Sequence, residues 1–115
     1  MSNKRKKTRA DLDVYLNKYV QGVPYMARAS DISSDGLSLA NLIEPSHAGK
    51  RVGLQFQLPG SEEVIYAEGE VVREWVGSNH KEGAGVRFTL MTERHRKLVD
   101  AYVSTSGEEP GSDPS

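Results

Sequence analysis

The chain reads as all-β with one C-terminal helix, folded as a six-stranded antiparallel β-barrel. Three observations carry that expectation. Six segments alternate apolar and polar residues with the period of half-buried strands, no helical pattern separates them, and one apolar stripe at helical spacing stands near the C-terminus. Short strands without crossover helices pair antiparallel, and closing the sheet removes the unpaired edges that an open sheet would expose.

In the first segment Leu12, Val14 and Leu16 alternate with Asp11, Asp13 and Tyr15. The second covers about 25–31 and contains Met26. "DISSDG" supplies the turn formers Asp31, Ser33, Ser34, Asp35 and Gly36, and "GLSLAN" resumes as a third strand. In "RVGLQFQLPG" Val52, Leu54, Phe56 and Leu58 share one face, and Pro59 and Gly60 end the strand. A fifth strand over about 64–75 puts Ile65, Ala67, Gly69 and Val71 on one side; Val72 and Trp75 fit that register poorly. Gly69 marks a bulge or a close approach. "GAGVRFTL" forms the sixth strand, with Val86 and Phe88 inward. Thr92 then caps a helix whose stripe is Leu98, Val99, Tyr102 and Val103.

The 115 residues suffice for one domain with one core. The divisions are a basic arm over 1–9, the barrel with its helix over 10–103, and a Ser-, Gly-, Pro- and acid-rich tail over 104–115 that reads as disordered. No run approaches the roughly 18–20 apolar residues of a membrane span, and no apolar stretch follows the basic start as a secretory signal requires. The expectation is a cytoplasmic protein without membrane insertion. Cysteine is absent, which removes disulfides, thiolate nucleophiles and sulfur-based zinc sites.

Charge is unevenly placed. "KRKKTR" puts five cations in six positions, and the net charge of −1 leaves −6 for the chain after Arg9. A positive arm on an acidic body reaches toward a phosphate ligand or folds back on its own domain, and composition does not choose between them. Two local patterns do more. Arg5 and Arg9 stand four apart before the first strand, and Asp31, Ser33 and Gly36 make a D-x-S-x-x-G pattern after the second. Taken alone, the arginine pair is an ordinary solvated arm and the turn an ordinary Asx turn. The turn pattern arises by chance on the order of a few times in a hundred in a chain of this size, and the two together are rarer.

"RKKTR" and "DISSDG" resemble the RxxxR and DxSxxG motifs of PilZ domains, and "LPG", "GEVVREW" and "GAGVRF" resemble that family's usual text over nearly the whole folded chain. The resemblance implies a six-stranded barrel with a C-terminal helix and a receptor for the bacterial second messenger cyclic di-GMP. It implies a ligand set of Arg5, Arg9, Asp31, Ser33 and Gly36, with Lys4 as a possible addition that is otherwise an exposed lysine.

The chemistry of these residue types agrees. Arginine offers a planar fork of donors for phosphate oxygens or for guanine O6 and N7, and a flat face for stacking. A carboxylate at Asp31 accepts from guanine N1 and N2, the Ser33 hydroxyl can donate to phosphate, and Gly36 permits a backbone conformation or an approach that a Cβ would obstruct. The expected output is an arm that orders over the ligand and signals to an unidentified effector protein.

Other residues invite blander readings. Trp75 reads as a core or rim residue more than as a cover for guanine, and Arg73 and Arg87 as solvent-facing strand positions. His47, His80 and His95 are isolated, so neither metal nor cofactor is expected. No nucleophile stands beside a histidine and no Walker-type loop is present, so the chain does not read as an enzyme. Two alternatives stay open: a ligand-blind PilZ-like interaction module, and a small nucleic-acid-binding barrel. A body at −6 lacks the basic groove the latter uses, so no polynucleotide partner is expected.

Overall fold

The computed structural model describes residues 9–40, 49–76 and 82–106. Six strands, β1 (Arg9–Val20), β2 (Val23–Ser33), β3 (Gly36–Ala40), β4 (Arg51–Gln57), β5 (Val64–Val76) and β6 (Glu82–Met91), precede one helix, α1 (Glu93–Ser106). They close a barrel in the order β1-β2-β3-β6-β5-β4, with every neighbouring pair antiparallel. The expected fold class is therefore the observed one.

Alternation builds the interior. Leu12 and Leu16 from β1, Val52, Leu54 and Phe56 from β4, Ile65, Ala67 and Val71 from β5, and Val86 and Phe88 from β6 are all buried in one cluster. The stripe of α1 joins it through Val99 and Val103, with Leu98 and Tyr102 packed against its margin. Thr92 caps the helix as expected: its Oγ1 accepts from the His95 N–H at 3.2 Å.

Several boundaries differ from the sequence reading. β1 and β2 are longer than their alternation suggested, because a two-residue turn joins them directly: Val20 pairs with Val23, and Gln21 and Gly22 both have positive φ, 53° and 82°. That conformation matches the twist of paired strands and favours glycine at its second position. Arg9, the last cation of the basic run, is already the first residue of β1. α1 continues to Ser106, so the tail does not begin at Ser104; the Thr105 hydroxyl donates to the Ala101 carbonyl at 2.6 Å and satisfies the last turn from within. Residues 107–115 lie outside the described residues, as do 1–8.

One inward position is not apolar. Lys18 follows Leu16 in the β1 alternation and is 1% exposed inside the barrel. Near Gly69 the β5–β6 register shifts, and a Cβ there would lie 2.7 Å from the Arg87 carbonyl oxygen, so close approach accounts for this glycine.

α1 is fastened at its first turn. Arg94 donates to both carboxylate oxygens of Glu63 at 2.6 and 2.9 Å, and His95 Nδ1 accepts from the Tyr66 N–H at 3.3 Å. The Arg94 hydrogen bonds hold the Glu63 carboxyl below the usual glutamate range. In the unfolded chain that carboxyl takes up its proton first as pH falls, so its contribution is present above about pH 4.3, the ordinary glutamate value, and is lost as pH drops through the lower folded value.

Two outcomes follow from this packing. Urea denaturation of Leu54→Ala, at a site with no exposed surface, should give a loss of about 2–5 kcal/mol. In a pH series of thermal midpoints, the advantage of the native chain over Glu63→Gln should shrink below about pH 4.3; an advantage unchanged down to pH 3 would contradict the assigned contact.

Candidate functional site

The D-x-S-x-x-G segment is the β2–β3 hairpin. β2 ends at Ser33 and β3 begins at Gly36, leaving Ser34 and Asp35 as the loop. The buried Ser33 hydroxyl accepts from the Asp35 N–H at 3.2 Å and lies 3.4 Å from the Gly36 carbonyl, to which it donates. Its hydroxyl is thus engaged in the turn itself. The Asp35 carbonyl accepts from the Phe88 N–H at 2.8 Å, tying the loop to β6.

Gly36 faces Arg87 across the β3–β6 pair, and a Cβ on it would overlap the Val86 carbonyl oxygen. Of the two reasons for a glycine that the sequence left open, close approach is the operative one; its φ is not in the left-handed region. Further along the pair, Ser38 faces Gly85 and Ala40 faces Gly83. Small residues therefore pave the outer surface of this seam, and larger ones stand at its sides.

Asp31 reaches that surface through a bulge. Ala27 and Ala29 point inward, which by strict alternation would send Asp31 inward too. Instead the β2–β3 register shifts between Ala29 and Asp31, one extra residue is accommodated, and Ile32 takes the inward place. Arg9, opposite Ser33 at the start of β1, then lies diagonal to Asp31, and its Nη1 donates to Asp31 Oδ1 at 3.0 Å. The two side chains keep 51% and 30% of their surface exposed, so the pair stays accessible.

A second bulge aims a residue from the other side. The β5–β6 register shifts between Val71 and Arg73, so that Val72 is the extra residue and Arg73 stands opposite Gly85 on the outer face. Its Cζ lies 5.3 Å from the centroid of the Trp75 ring. Trp75 in turn covers Gly83, where any Cβ would collide with the indole. Arg87 donates to Glu70 Oε1 at 2.8 Å.

These elements enclose a groove of about 370 Å³ lined by Arg9, Ser33, Gly36, Ser38, Arg73 and Arg87 among others. The volume falls within the range of small-molecule sites. A larger concavity of about 610 Å³ lies on the opposite seam, between Tyr19 and Tyr66 with Gly53 at its floor. That concavity is lined by one cation and one carboxylate, Arg51 and Glu68, whereas the smaller groove is lined by three guanidinium groups and one carboxylate, Asp35, and on that excess of cations it is the candidate.

The structure brings Arg9, Asp31, Ser33 and Gly36 together; Lys4 and Arg5 lie outside the described residues. Arg73 and Arg87, read from sequence as surface decoration, line the same groove. The poor fit of Val72 and Trp75 to the β5 register was the trace of the bulge that puts Arg73 there. Trp75 is 39% exposed, on the outside of the barrel and not in its core. Among the described residues no group of three or more His, Cys, Asp or Glu side chains is placed to hold a metal ion, and His95 is engaged between Glu63 and the Tyr66 amide. No helix among them is long and apolar enough to cross a membrane.

Comparison with known proteins gives consistent results. The sequence model described as PilZ domain matches residues 3–105. No curated protein sequence matches the chain. Among solved structures, the inhibitor of motility MotI/DgrA of Bacillus subtilis superposes with a TM-score of 0.76 at 16% identity, over 90% of this chain and 51% of that one. The PilZ domain of YcgR from Escherichia coli, solved with c-di-GMP, gives 0.68 at 12% identity over 90% and 92%. The K. pneumonia MrkH–c-di-GMP complex gives 0.69 at 17% identity over 90% and 52%. The chain thus spans about half the length of MotI/DgrA and of MrkH.

Gly36→Ala should lower the thermal midpoint, because its methyl must push β3 from β6 at the Val86 carbonyl. A midpoint within a degree of the native chain's would show that the seam yields freely.

Proposed function

The chain belongs to the PilZ family, and from that premise we propose that it is a receptor for cyclic di-GMP, which it binds in the groove over the β3–β6 seam. The observation that carries this reading is the contact between Arg9 and Asp31 directly above the Ser33–Gly36 turn. A dinucleotide with two phosphodiester charges and two guanines needs cations for the first and both donors and acceptors for the second. The groove offers Arg9 for phosphate or for the guanine O6 and N7 edge, and Asp31, paired with Arg9 beside the groove lining, would serve N1 and N2. One donor of the Arg9 fork holds Asp31, which fixes both groups in orientation and leaves the remaining N–H groups for the ligand.

Ser33 serves chiefly by shaping the turn, since its hydroxyl is engaged there; donation to phosphate would exchange its long 3.4 Å contact with the Gly36 carbonyl. Gly36 sets the depth of the floor. Arg5, and Lys4 beside it, enter from the arm, which closes over the seated ligand. Ordering those residues costs roughly 1–2 kcal/mol each, so the contacts they gain must exceed that. The closed arm is the output, presented to an effector protein, and the chain acts as a cytoplasmic adaptor without catalysis of its own.

Calorimetry with cyclic di-GMP tests the reading. Arg9→Ala should bind about ten- to a hundredfold more weakly than the native chain, the loss of charge-assisted hydrogen bonds. Hydrogen exchange of residues 2–8 should slow at saturating ligand. Native affinity in Arg9→Ala removes the site, silence of the native chain favours a ligand-blind interaction module, and binding of polynucleotide alone favours the nucleic-acid reading.

A further inference from the structure

The side of the barrel away from the groove has a different chemistry. Over the β1–β4 seam two concavities, of about 610 and 290 Å³, share Gln55 as a common wall. In a chain with 27% charged residues, the two together are lined by only two such residues, Arg51 and Glu68. Tyr15 and Met26, 69% and 68% exposed, stand among the lining with Val64 and Tyr66. Large apolar side chains gathered on a surface mark a place of contact, and depletion of charge with enrichment in Tyr and Met is the composition of an interface centre.

The polar groups of this face are self-complementary. Asn17, Gln55 and Gln57 carry amides, each a donor and an acceptor at once, so the strip they form can meet its own copy. Arg51 and Glu68 extend the pattern to charge. Glu70, opposite Arg51 in the β4–β5 register, is bonded by Arg87 at 2.8 Å, and Glu68 stands opposite Gly53. Among the described residues neither the Arg51 nor the Glu68 side chain has an ion pair or a hydrogen bond. One unpartnered cation and one unpartnered carboxylate therefore lie on neighbouring strands of a face that is otherwise uncharged.

We infer that this face is the interface of a symmetric dimer, with a second copy of this chain as its occupant. In a two-fold interface every contact occurs twice, residue i on j and j on i. An axis running between the two charges sets Arg51 against the partner's Glu68 and Glu68 against the partner's Arg51. A foreign protein would have to supply this balance of opposite charges and amides, whereas a second copy supplies it by symmetry. The β3–β6 groove faces the other way, so both copies keep it open. Pairing of this kind requires no nucleotide.

Sedimentation equilibrium of the full chain tests the pairing. At about 100 µM, well above the dissociation constant of a micromolar interface, the native chain should sediment as a dimer. Arg51→Glu would crowd four carboxylates at the axis, and Glu68→Arg four guanidinium groups, so each variant should dimerise about a hundredfold more weakly. Both positions lie on the outer surface, and each variant should keep the native far-ultraviolet circular dichroism. An equimolar mixture of the two variants should recover the dimer, because every contact between unlike copies again joins opposite charges. No repair within a single chain would give that recovery. A native chain that stays monomeric at this concentration would overturn the inference and leave the face to another partner. Variants that dimerise at native strength, or a mixture of folded variants that stays monomeric, would overturn it as well.

Discussion

The seam between β3 and β6 closes as tightly as it does because Gly36 carries no side chain. The barrel consists of two three-stranded halves, β1-β2-β3 and β4-β5-β6, that meet at two places. One is the β1–β4 contact with three paired residues, and the other is β3–β6 with five. At the second, the Val86 carbonyl occupies the position that a Cβ on Gly36 would need. The same contact that joins the halves therefore sinks the floor of the groove, and it brings the Asp35 carbonyl onto the Phe88 amide. Fold closure and site formation share one steric condition.

Side-chain parity supplies the rest. A regular strand alternates its side chains strictly between core and surface, so a residue can be re-aimed only by inserting one more into the strand. β2 does this before Asp31 and β5 before Arg73, on opposite sides of the same seam. Each insertion interrupts the ladder locally, yet the core remains continuous because Ile32 takes over the inward place in β2. The groove is thus bordered by two deliberate defects in an otherwise regular barrel.

Those defects also explain what the sequence disclosed and what it withheld. Period-2 alternation is legible wherever pairing is regular, so Val52, Leu54, Phe56 and Leu58 were placed correctly as a buried row. Motif spacing carried Arg9, Asp31, Ser33 and Gly36, whose proximity depends on the β1–β2 hairpin register. Arg73 was read as solvent-facing and is exposed, but that a groove lies there depends on its pairing with Gly85 of β6, which a single strand does not reveal. Lys18 was hidden for another reason: its position is regular, but its chemistry contradicts the interior it enters. His95 gave no sign of its contact with the Tyr66 amide, because that partner is 29 residues away.

The helix touches both borders of the motif region from behind. Asp100 accepts from the Ser34 hydroxyl at 2.8 Å, and the Tyr102 hydroxyl donates to the Asp11 carbonyl at 3.0 Å. One rigid rod is thereby pinned to the hairpin loop and to the root of the leading strand. Moving the hairpin loop away from the root of β1 would therefore require one of these two hydrogen bonds to α1 to lengthen or break.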